Sequence, residues 1–387
     1  MSDERGPAPF DLTCSPNVPE LIRLLDMTLA VSTYQAGKLV FISALDDEKL
    51  VQLPRSFRRA MAIGVHGDNL ALATVNTVEV MRNDRRLAAG YPRQPNTYDA
   101  LFMPRTTYYT GAIDCHGLEW GTDGLWAVNT RFSSLVLLSG EYSFVPQWHP
   151  RFVTDLVPED RCHLNSLAMQ EGKPKYVTCL NTGDTGESWK KTLPEGGVVL
   201  DVESGEVVAG DLPMPHSARL VNDHLFVLFS ATGELARVDT AAGTYEVVQR
   251  FQGFTRGMAY HRDHLFVAVS KIRKNSSSFR KLKIADDSNQ SGIIILHVPT
   301  GTVVGRISYH QSVDEIFDVA VLPRMRRPGI VGTARPLHGF GLSLPEKALW
   351  QAQPKDQEHP RQGQLGPQQQ QQGSAQPGGP DRPAPQG

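Results

Sequence analysis

The stretch His216 to Leu228, HSARLVNDHLFVL, can be laid over several other parts of the chain almost without gaps. HGLEWGTDGLWAV (His116 to Val128) and RGMAYHRDHLFVA (Arg256 to Ala268) match it position for position. NSLAMQEGKPKYVTCL (Asn165 to Leu180) fits with a longer turn, and MAIGVHGDNLALAT (Met61 to Thr74) is a weaker fifth copy. The copies start roughly forty to fifty-five residues apart, the period of a propeller blade rather than of a helical solenoid.

Each copy supplies two runs of alternating apolar residues joined by a polar turn. Two more runs follow it, such as SSLVLLS and YSFVPQW, or GELARVD and TYEVVQR. Period-two alternation punctuated by Gly, Asp and Asn reads as strands and turns. Four strands in about forty residues make one blade. The strands at Thr28 to Leu53 fall short of a blade, as do Ile316 to Pro323 and PGIVGT near the other end. Joining the two halves closes the ring and removes exposed strand edges. The expectation is an all-β propeller of six blades, or seven if Thr28–Leu53 is complete, with N- and C-terminal strands sharing the closing blade. Residues 1–17 read as a mobile arm and Pro19 to Met27 as a short helix, so the arm and helix occupy 1–26 and the propeller 27–345. Residues 92–112 read as an irregular connection. Residues 346–387, rich in Gln, Pro and Gly, bury too little apolar area to offset chain entropy and read as a disordered tail.

Composition narrows the functional classes. The 387 residues carry a net charge of -2, with a pI near 6.6, which argues against nucleic acid or an acidic membrane surface as partner. No apolar leader and no apolar run of about 18 residues is evident, so neither export nor membrane insertion is expected. Cys14, Cys115, Cys162 and Cys179 lack CxxC spacing and read as reduced thiols, which suggests the cytoplasm. GxGxxG, P-loop, HExxH and GxSxG patterns are absent, so no nucleotide cofactor is expected.

The repeat itself points to the chemistry. Innermost strands of a propeller line its central channel, and their starts gather around one mouth. The overlay puts His116, His216 and Arg256 there, with His163 two residues before Asn165 and on its face. Neutral imidazoles meeting at one point suit a divalent ion of Zn, Fe or Mn type. Asp114, Glu315 and Asp318 are the acids at blade starts, and the fork of Arg256 suits a carboxylate or phosphate. A lone histidine at a strand start is more often a turn or core residue, and three could equally bond neighbouring blades around water. The serines and asparagines after the second strands, Asn181, Ser230 and Ser270 among them, read as turn formers or loop residues facing a ligand. The long insertion Ile272 to Gln290 is a candidate functional loop.

The phrases STYQAGKL, NTRFSSL, FVPQW, EDRCHLNSLA, MPHSARL, TGELARVD and FTRGMAYH resemble a family of bacterial conserved hypothetical proteins known only as a domain of unknown function. The resemblance spans roughly Asp26 to Arg335 and implies a propeller, with no known reaction. More distantly the blade pattern is similar to gluconolactonase and strictosidine-synthase-like propellers, many of which hold a divalent metal at the mouth. Histidines stand here where the gluconolactonases use glutamate, asparagine and aspartate, which argues against lactonase activity.

The leading expectation is a metal-dependent hydrolase, lyase or oxygenase acting on a small polar, anionic molecule at the channel mouth. His116, His163 and His216 would hold the metal, Arg256 would orient the substrate, and Asp114 or Glu315 would move protons. The alternative is a non-catalytic propeller that binds a peptide or glycan, or scaffolds protein partners through its surface loops.

Overall fold

The computed structural model describes residues 9–272, 279, 282–286, 288–334 and 336–352. Six antiparallel sheets follow one another around a ring, making a six-bladed β-propeller. The third blade is typical. Its strands are Cys115–Gly121, Gly124–Asn129, Ser134–Leu137 and Val145–Trp148, hydrogen-bonded in chain order from the channel outwards. The fourth blade runs from Ser166–Gln170 to Val207–Leu212, the fifth from Pro215–Val221 to Thr244–Arg250, and the sixth from Phe254–His261 to Thr302–Tyr309.

The alternation in the sequence becomes alternation between neighbouring blades. Leu225, Val227 and Phe229 of the fifth blade pack against the fourth, with Val199 and Ala209. Phe226 and Leu228 point the other way, onto Met258 and Val267 of the sixth. Both faces of this second strand are therefore buried, which is why Leu225 to Phe229 carries no polar residue. Six such clusters lie one at each blade interface, so the core is distributed around the ring.

Closure joins the two ends of the chain. Asp318–Pro323 is the innermost strand of the first blade and pairs antiparallel with Met27–Thr33, from Ser32 opposite Asp318 to Met27 opposite Pro323. Lys38–Ala44 and Leu50–Ser56 complete that blade. The shared closing blade thus takes three strands from the N-terminal side and one from the C-terminal side. PGIVGT does not belong to it. Pro328–Ile330 runs parallel to the start of Ala100–Tyr108, on the outside of the second blade.

Several expectations near the ends need correction. Residues 100–108, read as irregular, form the outer strand of the second blade. The N-terminal arm is ordered where Leu12–Cys14 pairs with Thr302–Tyr309 and occupies the outer edge of the sixth blade, which would otherwise present unpaired backbone groups. The helix covers Val18–Leu24 and stops short because Met27 already pairs with Pro323. Its Val18 and Ile22 are fully buried in the seam between the sixth and first blades. The tail boundary also moves. Gly341–Ser343 and Ala348–Trp350 form a hairpin, with the Trp350 indole against Tyr91 and its Nε1 donating to the Leu87 carbonyl. An aromatic ring with a buried partner holds the first residues of the expected tail. Residues 1–8, the rest of the tail (353–387) and most of the basic run at 273–281 lie outside the described residues.

The hydroxyls after the second strands do more than form turns, and Ser270 also lines the cavity at the channel mouth. Thr130 donates to the Leu164 carbonyl at 2.6 Å, and Ser230 donates to the Thr255 carbonyl at 2.6 Å. Ser270 donates to the Ile316 carbonyl at 3.2 Å. In each case a buried hydroxyl reaches the start of the next blade's inner strand. The repeat therefore carries its own hydrogen-bonded staple between blades. Thr130→Val keeps the shape and removes one staple, leaving a buried carbonyl without that donor. It is expected to cost about 1–3 kcal/mol, read as a lower denaturant midpoint at unchanged m-value.

Candidate functional site

The starts of the inner strands are irregular in a repeated way. Cys115 and Gly117 pair with Asn129 and Val128, so His116 is an extra residue in a β-bulge. Ser217 and Ala218 together oppose Val227 just after His216, and Arg256 with Gly257 opposes Ala268. A bulge re-aims a side chain and tightens the local twist. The bulges therefore fall where the repeat places its polar residues. Gly257 is required by its bulge: its φ is +85°, and a Cβ there would meet the Cα of Asp318 at 2.9 Å.

A second recurrent feature sits two residues upstream. Asp114, His163 and Met214 occupy equivalent places in three blades and all have left-handed φ of 51°, 53° and 56°. In two of them this turn folds the backbone carbonyl back onto the ring that follows. The Asp114 carbonyl lies 2.8 Å from His116 Nδ1 and the Met214 carbonyl 3.0 Å from His216 Nδ1. Ser230 Oγ, already donating to Thr255, also lies 2.9 Å from His216 Nδ1. His163 has a carboxylate instead, with Asp160 Oδ2 2.9 Å from its Nδ1. Asp160 is held in turn by the indole N–H of Trp189 at 3.1 Å.

All three rings thus face an acceptor at Nδ1. In the neutral imidazole this places the proton on Nδ1 and the lone pair on Nε2, the nitrogen farther from the backbone. The rings are brought together as the repeat implied. His116 and His163 stand 4.8 Å apart centre to centre, and His163 and His216 6.4 Å. Three imidazoles on one tetrahedral ion at ordinary metal–nitrogen distance have centres about 5 Å apart. The first pair meets that spacing and the second is wider. Among the described residues no three His, Cys, Asp or Glu side chains already form a metal-holding group.

Phe317 is the hub beside the histidines. Its ring is 5.4 Å from His116 and 5.7 Å from Tyr34, and the Arg256 guanidinium lies 3.6 Å above it. Arg256 also stands 3.8 Å from Glu315. Asp114, the three histidines, Arg256 and Glu315 all line one cavity, open to solvent at the mouth. Asp318 does not reach it. Its carboxylate accepts the backbone N–H groups of Ile63 and Val319 and lines a second, smaller chamber that His116 and His216 also border. It starts its strand one residue after Phe317, so the alternation of faces carries it away from the mouth.

Residues 16–331 match a family described as a domain of unknown function, DUF4915. The chain belongs to the DUF4915 family. No match is found among curated proteins. Among solved structures, this DUF4915 chain is similar to one in a nidogen/laminin complex. The two are 9% identical, with 77% of this chain and 99% of that one covered, at a TM-score of 0.49. The WD40 domain of Pan2 from Neurospora crassa is 12% identical, with 63% and 64% covered, at a TM-score of 0.38.

Burial sets the electrostatics of the DUF4915 site. It pushes His116 and His216 well below the usual histidine range, and the charge of Arg256 adds to the effect at both. In the smaller chamber, burial raises Glu119 and Asp318 above the usual carboxylate range, which Arg219 partly opposes. Glu119 and Arg219 pair at 3.3 Å in that chamber.

Sequence reasoning missed Trp189, Phe317, Glu119 and Arg219. It also missed Asp160, although Asp160 stands three residues before His163 in EDRCH, a spacing that could have been tested. Cys115 and Cys162, beside two of the histidines, are buried in the blade interfaces.

The depressed histidines have a consequence for stability. Below about pH 6.5 the unfolded chain takes up protons that native His116 and His216 refuse, so stability falls with pH. Glu119 and Asp318 act oppositely: native protein takes up their protons first on acidification, which offsets part of the loss. Chelator-treated protein is expected to lose Tm between pH 7.5 and 5.5, and a His116→Gln, His216→Gln double variant to lose less over the same interval.

Proposed function

We propose that this protein is a metal-dependent enzyme whose substrate occupies the cavity at the channel mouth. The observation that carries the reading is the common state of the three histidines. Each has an acceptor at Nδ1, from a backbone carbonyl or a carboxylate, and so offers an Nε2 lone pair. That is how metal-ligating histidines are usually oriented by their outer shell. A divalent Zn, Fe or Mn ion would be held by His116, His163 and His216, with the wider-set His216 drawn closer to the other two. When bound, the ion polarises water or a substrate oxygen and makes bound water acidic near neutral pH.

The chain's own residues take the remaining roles. Burial keeps His116 and His216 neutral, as ligands must be. Asp160 aligns His163. Arg256, stacked on Phe317, orients a carboxylate through its fork. Glu315 positions Arg256, and Asp114, 30% exposed beside His116, moves the proton. The four cysteines are free, and the Cys162 thiol donates to Cys179 Sγ at 3.7 Å rather than forming a disulfide, in keeping with a reducing, cytoplasmic setting. No helix of the described residues is long and apolar enough to cross a membrane.

Metal analysis of purified protein tests the reading. About one Zn, Fe or Mn per chain is expected, lost in the triple variant His116→Ala, His163→Ala, His216→Ala while the far-ultraviolet spectrum is kept. Asp160→Asn is expected to weaken metal binding about 10–100-fold. Metal-free wild-type protein that takes up none of these ions on titration would instead favour the non-catalytic propeller.

A further inference from the structure

The cavity lining divides by chemistry. Its polar half holds the histidines, Asp114, Arg256 and Glu315. The rest of the wall includes Leu180, Trp189, Met214, Phe254, Ile272 and Phe279, all from the fourth to sixth blades. This apolar half is built rather than incidental. Leu180, Trp189 and Met214 belong to a buried cluster with Leu282 and Ile284, against which Phe254, Ile272 and Phe279 pack. The cluster stands outside the six blade interfaces and consists largely of residues from the insertions of the fourth and sixth blades. Its rings run continuously into the polar half. Trp189 is 4.4 Å from His163, and Phe254 is 6.3 Å from His216 and 5.7 Å from Phe279.

A wholly polar substrate would leave this wall in contact with water and forgo the burial it offers. We infer that the site takes an amphipathic carboxylic acid, its head at the histidines and Arg256 and its aryl or alkyl body along Trp189, Phe254 and Phe279. The choice of acid follows from Arg256. Its guanidinium lies over the face of Phe317, and a stacked guanidinium presents its donors edge-on, as a carboxylate fork requires. Lys271 lines the same cavity as a second cation, paired at 2.6 Å with Asp314. This inference rests on the mouth being the substrate site, but it needs no metal to be tested.

The test is calorimetric titration with 4-phenylbutyrate, 4-phenylbutanol and butyrate, on chelator-treated and on zinc-loaded protein. 4-Phenylbutyrate is expected to bind at least tenfold tighter than either of the others in both states, since one loses the charge and the other the body. Arg256→Met is expected to weaken both acids. Ile272→Ser, at the half-exposed rim, is expected to weaken 4-phenylbutyrate two- to fivefold and leave butyrate unchanged. Equal affinity for the two acids, equal affinity for 4-phenylbutyrate and the alcohol, or no binding of any probe would overturn the inference. Failure of the metal reading shows up separately, as absence of zinc uptake with the order of the three probes intact.

Discussion

The antiparallel pairing of Asp318–Pro323 with Met27–Thr33 decides whether the rest of the structure exists. It joins segments nearly three hundred residues apart, and it sets the sixth blade's inner strands against the first blade. Without it the inner edge of the first blade would be bare and one of six interface clusters would lie open. No single blade buries both faces of its strands, so each depends on two neighbours. Phe266, Ile293 and Val31, all fully buried at the last seam, are buried only because the ring is complete. The helix Val18–Leu24 and the strand Leu12–Cys14 reinforce the same seam from below and outside.

Closure also positions the site. The cavity draws on the first, third, fourth, fifth and sixth blades, and Phe317 directly precedes the strand that closes the ring. The hub under Arg256 and His116 is thus delivered by the C-terminal segment, one residue before pairing with Ser32 begins. Bulges and left-handed residues at the blade starts do the finer work. In the third and sixth blades the bulge contains His116 and Arg256 themselves, whereas in the fifth it follows His216. The folded-back carbonyls of Asp114 and Met214 fix the nitrogen that keeps its proton in His116 and His216.

Different parts of this arrangement were unequally legible. The inner two strands of each blade could be read closely, because an apolar run packed on both sides leaves a dense pattern with a polar turn between. Outer strands were harder. Ala100–Tyr108 contains Met103, Pro104 and Arg105 and half faces solvent, so its alternation is broken. Pro328–Ile330 and Leu12–Cys14 are only three residues each and owe their structure to an available edge. The equivalence of His116 and His216 was visible in the overlay. The partnership of His163 with Asp160 and Trp189 was not, because the tryptophan comes from an insertion whose sequence lies outside the repeat.

The sequence by itself determined the blade, its repeat and the residues that the repeat carries to the channel mouth. Periodicity and turn chemistry are local, and they survive in a string of letters. Only the tertiary structure decided that Asp318 turns away from the mouth while Glu315 and Phe317 face it, that hydroxyls after the second strands bind the next blade, and that an apolar wall stands beside the histidines. These depend on which strand lies next to which and on the direction of each side chain in three dimensions. Contacts between residues far apart in the chain leave no periodic trace.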